Sequence, residues 1–277
     1  SLIQGKELRK VLSECFTVKR IICYERIGYI LGNLLKDKYI YTNTKSDPSC
    51  EHVIPKKFYK KEKSMVTDMH QIFLAPSKIN NIRDTMKFDI TDSVDDIQYI
   101  NGSYSIKKTK SSCCYSNTHR LFYPEPQSRG RISRACAYFF TVYPDALPFL
   151  YDVIDIDIMK SWCLKYKPAK NEYKRNYFVY QIQRNINPYI LFPKLIDHAF
   201  VDISSIYIKK VKLNKQITMG LDVIQSEISK LNNKLTVYMD EIESVKNIHK
   251  TDEYIEISYK LIQLNKLQKM VDLQLQL

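Results

Sequence analysis

An acidic residue and a histidine stand side by side in the segment SCEHVIPKKFYKKEK, residues 49–63. The carboxylate of Glu51 is the kind of oxygen ligand that hard cations such as Mg²⁺ prefer. The imidazole of His52, with an ordinary pKa of about 6.5, can take a proton from water near neutral pH. The same pair could also end a strand that leads into a solvated basic loop. Two interpretations are therefore open: a metal ligand beside a general base, or an ordinary strand end.

A run of lysines follows the pair and consists of Lys56, Lys57, Lys60, Lys61 and Lys63. Residues 1–216 hold 36 basic and 21 acidic residues, a net charge of +15, whereas residues 217–277 hold 7 basic and 9 acidic residues. A segment as basic as residues 1–216 attracts polyanions, of which nucleic acid is the usual one. A lysine run is often only a solvated face, but beside a metal ligand and a general base we expect Lys56, Lys57, Lys60 and Lys61 to follow a nucleic-acid backbone.

The elements that would position these groups are two short strands and a helix. EHVI and HQIFLAP have the composition of strands on either side of the lysine run. SKINNIRDTM has the composition of a short helix, with Ser77 as its N-cap. Two strands and a helix in this order can bring Glu51, His52 and Asn80 to one cation.

The remainder of the first 204 residues predicts a mostly helical domain. GKELRKVLSECF, GRISRACAYFFTVY, ALPFLYDVIDIDIMKSWCLKY and NEYKRNYFVYQIQRN have helical patterns, whereas residues 89–128 indicate an irregular excursion. Strands followed by helices, without βαβ alternation, indicate an α+β fold. We predict one domain at residues 1–204, in which Asp68 and His70 brace the fold.

Residues 205–277 form a different kind of segment. Apolar residues follow one another at steps of three and four from Leu221 to Val245, and a second such series, which polar Gln268 interrupts, runs from Tyr254 to Leu275. This spacing is that of a heptad seam. We therefore predict a C-terminal helical hairpin or coiled coil, through which two copies of the chain could form a homodimer.

Three stretches of the sequence carry ordered motifs. They are CEHVIP with DMHQI and SKINNIR after it, HRLFYPEPQSRGRISRACAYF, and NEYKRNYFVYQIQRNINPYI, and together they span roughly residues 5–198. These motifs resemble the endonuclease I family, secreted and periplasmic nonspecific nucleases of the ββα-metal or His-Me finger (HNH-like) superfamily. The resemblance implies a ββα-metal finger embedded among the helices of a nuclease domain.

The resemblance also implies roles for single residues. It places the general base at His52 and the metal ligands at Glu51 and Asn80. It includes Arg83, which we assign to catalysis, and Arg134, which we assign to nucleic-acid binding. Bracing of the site is the alternative role for both arginines.

Two positions depart from the family pattern. The second asparagine of the family's R-S-N is Thr85, and the glycine of its Q-G-N is Arg184. Some members also have a phosphate-binding arginine between the histidine and the asparagine, where this chain has only lysines. The sequence therefore leaves open which cation binds the scissile phosphate.

These features predict a metal-dependent endonuclease that hydrolyses phosphodiester bonds of DNA, with RNA as an alternative substrate. One Mg²⁺, or another divalent cation such as Mn²⁺ or Ca²⁺, would act as a Lewis acid while His52 takes a proton from water. The resemblance implies products with 5′-phosphate and 3′-hydroxyl ends. The competing hypothesis is a noncatalytic nucleic-acid-binding or scaffold protein that keeps the nuclease fold.

The remaining features concern location. The 7 cysteines are odd in number and form no C-x-x-C pair, which favours reduced thiols. No apolar run approaches the roughly 20 residues that span a bilayer, and no secretion signal is recognised. We therefore expect an intracellular protein, in the cytoplasm or nucleus, that does not bind membranes.

Overall fold

The computed structural model of the chain describes residues 3–42, 47–59, 62–90, 96–100 and 113–203. The helices and strands of these residues all lie in one compact unit, Gln4–Ser205. They combine many short helices with two small sheets, so the predicted α+β fold class is confirmed. Within the described ranges, no helix is long and apolar enough to cross a membrane. The predicted C-terminal hairpin and the domain boundary before residue 205 lie outside the described residues.

In chain order the described helices are α1 (Gly5–Phe16), α2 (Tyr24–Tyr29), α3 (Lys63–Val66), α4 (Ser77–Arg83), α5 (Pro126–Val142), α6 (Leu150–Val153), α7 (Ile156–Lys165), α8 (Lys170–Gln183), α9 (Pro188–Leu191) and α10 (Leu195–Ala199). The described strands are β1 (Pro48–His52), β2 (Ile72–Pro76), β3 (Lys87–Phe88), β4 (Gln98–Tyr99), β5 (Cys114–Ser116) and β6 (Leu121–Tyr123). A π-helical turn, Ile30–Leu34, continues α2, and short 3-10 turns lie at Lys56–Phe58, Pro144–Phe149 and Val201–Ile203.

The candidate residues lie on a strand–strand–helix segment. β1 and β2 are antiparallel and place Glu51 opposite Phe73. α4 begins directly after β2 and packs against both strands. The predicted N-cap at Ser77 was wrong: Pro76 holds the N-cap position, and the Ser77 hydroxyl donates to the main-chain carbonyl of Asp47 at 3.1 Å. The strands and the helix therefore occur as predicted, with a shifted helix start.

A buried apolar cluster holds α2 beside the two strands. Ile72 and Leu74 of β2 pack with Ile27 of α2 and with Leu31 of the π-helical turn. Burial of such side chains stabilises the fold by about 1.5–3 kcal/mol each. The cluster thus fixes the start of α2 close to the end of β1, where His52 lies.

A second sheet occupies the segment that the sequence indicated as irregular. Its strand order is β3-β6-β5-β4, with β3 and β6 parallel and the other pairs antiparallel. The expectation of an irregular excursion over residues 89–128 was therefore wrong for β4, β5 and β6. Strands of two or three residues are too short to show the alternation of apolar and polar residues by which a strand is recognised.

Helix α5 is the central helix of this unit, and every residue from Gly130 to Val142 is buried. Helices α1, α7 and α9 pack against it. The predicted helices at GKELRKVLSECF, GRISRACAYFFTVY and NEYKRNYFVYQIQRN are confirmed as α1, α5 and α8. The stretch ALPFLYDVIDIDIMKSWCLKY is not one helix. It begins in a 3-10 turn that contains Pro148 and continues as two separate helices, α6 and α7. Proline interrupts the helix there because it lacks the amide donor that the α-helical ladder requires.

Candidate active site

Glu51 provides the carboxylate of the candidate site. It lies on β1 and is 5% exposed. Its Oε1 accepts hydrogen bonds from the Tyr41 hydroxyl and, at 3.0 Å, from Arg83 Nη1. Burial raises the pKa of Glu51 to about 7, against the opposing effects of Arg83 and Tyr41. Because both partners use Oε1, neither occupies Oε2, which is the oxygen that a cation could take.

His52 has one ring nitrogen fixed by the main chain. Its Nε2 lies 2.9 Å from the carbonyl oxygen of Val66, which can only accept, so Nε2 carries the proton. The ring stacks on Tyr24, with 5.7 Å between centroids. Burial, together with the charges of Lys56 and Arg83, lowers the pKa of His52 to about 4, against the opposing effect of the hydrogen bond to Val66. The imidazole is therefore neutral at pH 7 with its lone pair on Nδ1, the state that a general base requires.

Asn80 reaches the same face of β1 from α4. Its Nδ2 donates to Ser49 Oγ at 2.9 Å and to the carbonyl of Cys50 at 3.4 Å. Ser49 and Glu51 are two residues apart on a strand, so their side chains point to the same face. With Nδ2 anchored to the strand, Oδ1 is the amide atom that can act as a ligand. The structure thus brings Glu51 and Asn80 to one face, as the sequence predicted.

Arg83 lies beneath this face as a buried brace. It is 1% exposed, and its guanidinium lies 4.3 Å from the centroid of the Phe88 ring. Besides Glu51, it donates to the carbonyls of His52 and Val53 at 3.1 and 2.6 Å. These contacts hold α4 against β1 and orient the Glu51 carboxylate. Of the two roles that the sequence left open for Arg83, this geometry favours bracing.

Arg134 lies away from the site, on α5. It is 1% exposed and forms a bidentate ion pair with Glu172 of α8, at 2.6 and 2.7 Å. Its Nη1 donates to the carbonyl of Tyr166 at 2.7 Å, at the end of α7. This geometry favours the bracing role for Arg134 also, since its donors are engaged by acceptors of α7 and α8.

An open cleft beside Asn80 is bordered by exposed lysines. Lys56 and Lys57 line it together with Pro55, Asn81, Asp84 and Thr85. The Lys56 ammonium lies 5.5 Å from the centroid of the Tyr24 ring, the ring that stacks on His52. Lys60 and Lys61 lie outside the described residues. Lys56 and Lys57 therefore border the candidate site and are open to a polyanion.

Two tyrosines complete the site without any signal in the sequence. Tyr41 is fully buried and bonds Glu51, and Tyr24 covers the His52 ring from α2. They come from segments 10 and 28 residues before their partners, and no fixed spacing links them to the Glu-His pair. Only the fold brings them to the site.

Asp68 and His70 are buried within the domain, as their predicted bracing role requires. Asp68 accepts hydrogen bonds from the hydroxyls of Tyr138 and Tyr143 at 2.7 and 2.8 Å. His70 Nε2 lies 3.2 Å from the carbonyl of Asn185. Burial lowers the pKa of His70 to about 3, so this imidazole is a neutral member of the core. Both residues connect the turn before β2 to other parts of the domain.

The oxygen donors at the site fit a hard divalent cation. One carboxylate and one amide oxygen, from Glu51 and Asn80, are ligand types that Mg²⁺ accepts, and they leave room for water and phosphate. Among the described residues, no group of three His, Cys, Asp or Glu side chains could hold a metal. Glu51 and Asn80 are the two ligands that the family resemblance implies.

A family model matches more than half of the chain. The model of the family described as Endonuclease I matches residues 29–194, a range that contains the strand–strand–helix segment and helices α5 to α9. No curated protein matches the chain significantly. The family resemblance predicted from the three motifs is confirmed by this match.

Proposed function

The chain belongs to the endonuclease I family, and on this premise we propose that it is a metal-dependent endonuclease that hydrolyses phosphodiester bonds of DNA. The observation that supports this most directly is the arrangement of Glu51, His52 and Asn80. A neutral imidazole with its Nε2 proton fixed stands next to a carboxylate, on a strand that also contacts the asparagine. RNA is the alternative substrate, because nothing at the described site selects a deoxyribose.

The residues divide the proposed chemistry between them. Glu51 Oε2 and Asn80 Oδ1 would hold the cation, which supplies Lewis-acid stabilisation of the charge that develops on the phosphate. His52 Nδ1 takes a proton from the attacking water, while Val66 and Tyr24 fix the plane of the ring. By the family resemblance, the products carry 5′-phosphate and 3′-hydroxyl ends.

A plasmid-nicking assay tests the need for a cation. We expect nicking in Mg²⁺ and none in EDTA. We expect Glu51→Gln, which keeps an acceptor for Tyr41 and Arg83, and Asn80→Ala each to raise the Mg²⁺ concentration for half-maximal activity at least about tenfold, or to abolish turnover. The matched control is Asn33→Ala, at an exposed position of the π-helical turn.

Two results would contradict the proposal. Undiminished nicking in EDTA would exclude the metal-dependent mechanism. Binding of DNA without nicking in any of Mg²⁺, Mn²⁺ or Ca²⁺ would favour the noncatalytic nucleic-acid-binding protein instead.

The lysines at the cleft should contribute to binding through counterion release. Each phosphate that a lysine neutralises changes the slope of log affinity against log salt by about 0.9 on duplex DNA. We expect the double variant Lys56→Ala with Lys57→Ala to reduce that slope by up to about two, measured by fluorescence anisotropy in EDTA. Lys10→Ala with Lys194→Ala, two exposed lysines of α1 and of the turn before α10, is the control. Equal slopes for both double variants would mean that Lys56 and Lys57 are only solvated.

We further propose that the chain is an intracellular homodimer that associates through the heptad seam of residues 221–275, which lies outside the described residues. A dimer would bring two nicking sites together and convert single-strand cuts into double-strand breaks. A chain ending at Ile206 should then be monomeric by light scattering and should linearise plasmid less well while still nicking it. A monomeric full-length chain would disprove the dimer.

A further inference from the structure

A second concave site lies apart from the cleft at Asn80. It is a cavity of about 320 Å³ between the first turns of α5 and α8, the end of α7 and the segment before Ile40. This volume is at the lower end of the range for ligand pockets. None of its lining residues belongs to the cleft at Lys56 and Lys57. The cavity is therefore a separate candidate for ligand binding.

A buried arginine that lines this cavity shares its carboxylate partner with a second arginine. Arg131 and Arg175 both pair with Asp37, at 3.1 and 2.7 Å, whereas Arg134 and Glu172, which also line the cavity, pair with each other. Arg175 lies near a second buried carboxylate, because burial raises the pKa of Asp68 to about 6 against the opposing effect of the Arg175 charge. Buried charges are ordinarily paired, so the shared partner of Arg131 indicates a place for an anion.

Arg131 is the cavity-lining arginine whose carboxylate partner is shared. It lines the cavity wall, and its Nη atoms donate to Asp37 and to the carbonyls of Lys38 and Tyr39 at 3.1 to 3.2 Å. Its Nε is buried and has no hydrogen-bond partner among the described residues. Burial lowers the pKa of Arg131, against the opposing effect of Asp37. The charge of Arg131 is thus only partly compensated by the described residues, and an anion in the cavity would offset it.

Exposed lysines and tyrosine rings form part of the rim and wall of the cavity. Lys38 and Lys167 are exposed, and neither forms an ion pair with the described residues. Tyr39 and Tyr166 form parts of the wall. Gly130 of α5 lets Tyr166 approach, because a Cβ at that position would lie 2.3 Å from the Tyr166 carbonyl oxygen. Lysines bind phosphate as point charges, and tyrosine rings are surfaces on which bases stack.

The first turns of two helices, α5 and α8, also line this cavity. Helix α5 has 17 residues and α8 has 14, and neither N-cap residue accepts a side-chain hydrogen bond from its helix. Gln127 and Ser128 come from the first turn of α5, and Asn171 from that of α8. Unsatisfied amides and the helix dipole favour an anion at such ends. They add to the positive potential at Arg131.

We propose that this cavity is a second phosphate-binding site, which takes the phosphate group of a nucleoside phosphate. The source of that group is either a free nucleotide or a part of a nucleic-acid strand distant from the cut. The site does not depend on hydrolysis at Glu51 and His52. It is joined to them by a short segment, because Lys38 and Tyr39 line the cavity and Tyr41 bonds Glu51.

Binding in EDTA tests the second site without cleavage. The probes are deoxyadenosine 5′-monophosphate, followed by calorimetry, and a fluorescein-labelled 12-nucleotide single strand, followed by anisotropy. The cavity variant is Lys38→Glu with Lys167→Glu, at exposed positions whose replacement leaves the buried ion pairs intact. The charge-matched control is Lys10→Glu with Lys194→Glu, and Lys56→Ala with Lys57→Ala reports binding at the active-site cleft.

Three outcomes are decisive. Mononucleotide binding that weakens at least about tenfold in the cavity variant, but not in the other two, supports the site with a free nucleotide as its ligand. No mononucleotide binding, with strand binding weakened at least about tenfold by the cavity variant relative to its control, supports the site with the strand as its ligand. A cavity variant that binds both probes as the charge-matched control does would overturn the proposal.

Discussion

Replacing His52 with alanine is expected to lower the rate of DNA cleavage at least about a hundredfold and to leave DNA binding within about twofold. General-base catalysis contributes about a hundredfold to ten-thousandfold to such rates. The structure favours this role for His52 because Nε2 is committed to the Val66 carbonyl and Nδ1 has no hydrogen bond to the described residues. Loss of the ring should therefore remove a proton acceptor and little of the binding surface.

The measurement is single-turnover cleavage of a labelled duplex in Mg²⁺, with binding measured separately by anisotropy in EDTA. His198→Ala is the matched control, since His198 lies on α10, which packs against α1 and α7 and not against β1. Cleavage by the His52 variant near the wild-type rate would remove His52 from the mechanism. A parallel loss of binding would indicate a damaged fold instead, which a thermal melt would reveal.

Tyr24 gives a second test of how the His52 ring is held. The stacked arrangement predicts that Tyr24→Phe keeps the ring in place, because the phenyl face remains at the same position. Tyr24→Ala would leave the ring with one support, its bond to Val66. A graded loss of activity across these two variants would identify Tyr24 as a positioning residue, and this residue was not predicted from the sequence.

The strand–strand–helix segment could be predicted from sequence because the residues that carry its chemistry, and the two strands and the helix that hold them, are close together along the chain. Glu51 and His52 are adjacent, and Asn80 follows on the helix after the second strand. The shared face of Glu51 and Asn80 then follows from the alternation of side chains along β1, which puts Ser49 and Glu51 on one face, and from the contact between Asn80 of α4 and Ser49. Short spacings along the sequence therefore suffice to predict which of these side chains lie together.

The partners of these residues could not be predicted, because they depend on contacts between distant segments. Tyr41 reaches Glu51 from an irregular segment, and the packing of α2 on β2 brings Tyr24 to His52. The roles of Arg83 and Arg134 were left open for the same reason. A sequence motif shows that an arginine is present. Whether that arginine contacts a ligand or braces the fold depends on its burial and on where its hydrogen-bond and ion-pair partners lie.

The pair of Arg134 with Glu172 leads to the second large expected effect. Glu172→Ala would leave the guanidinium of Arg134, 1% exposed, without a carboxylate. Removing one partner of a buried ion pair destabilises a protein by about 3–5 kcal/mol, because the other charge stays buried. We expect a loss of that size in the free energy of unfolding, measured by urea denaturation. The exposed pair of Arg120 with Asp84 gives the contrast: Arg120→Gln should cost at most about 1 kcal/mol.

A double replacement separates the ion pair from the rest of the site. Arg134→Met combined with Glu172→Leu removes both charges and keeps apolar volume between α5 and α8, so it should recover at least about 2 kcal/mol of the loss caused by Glu172→Ala. Recovery should stay incomplete, because the carbonyls of Cys163 and Tyr166 lose the donors that Arg134 provides. A double variant as unstable as Glu172→Ala alone would show that the energy lies in those carbonyl contacts. In that case Arg134 would stabilise the domain mainly by capping the end of α7, and Glu172 would serve to position it.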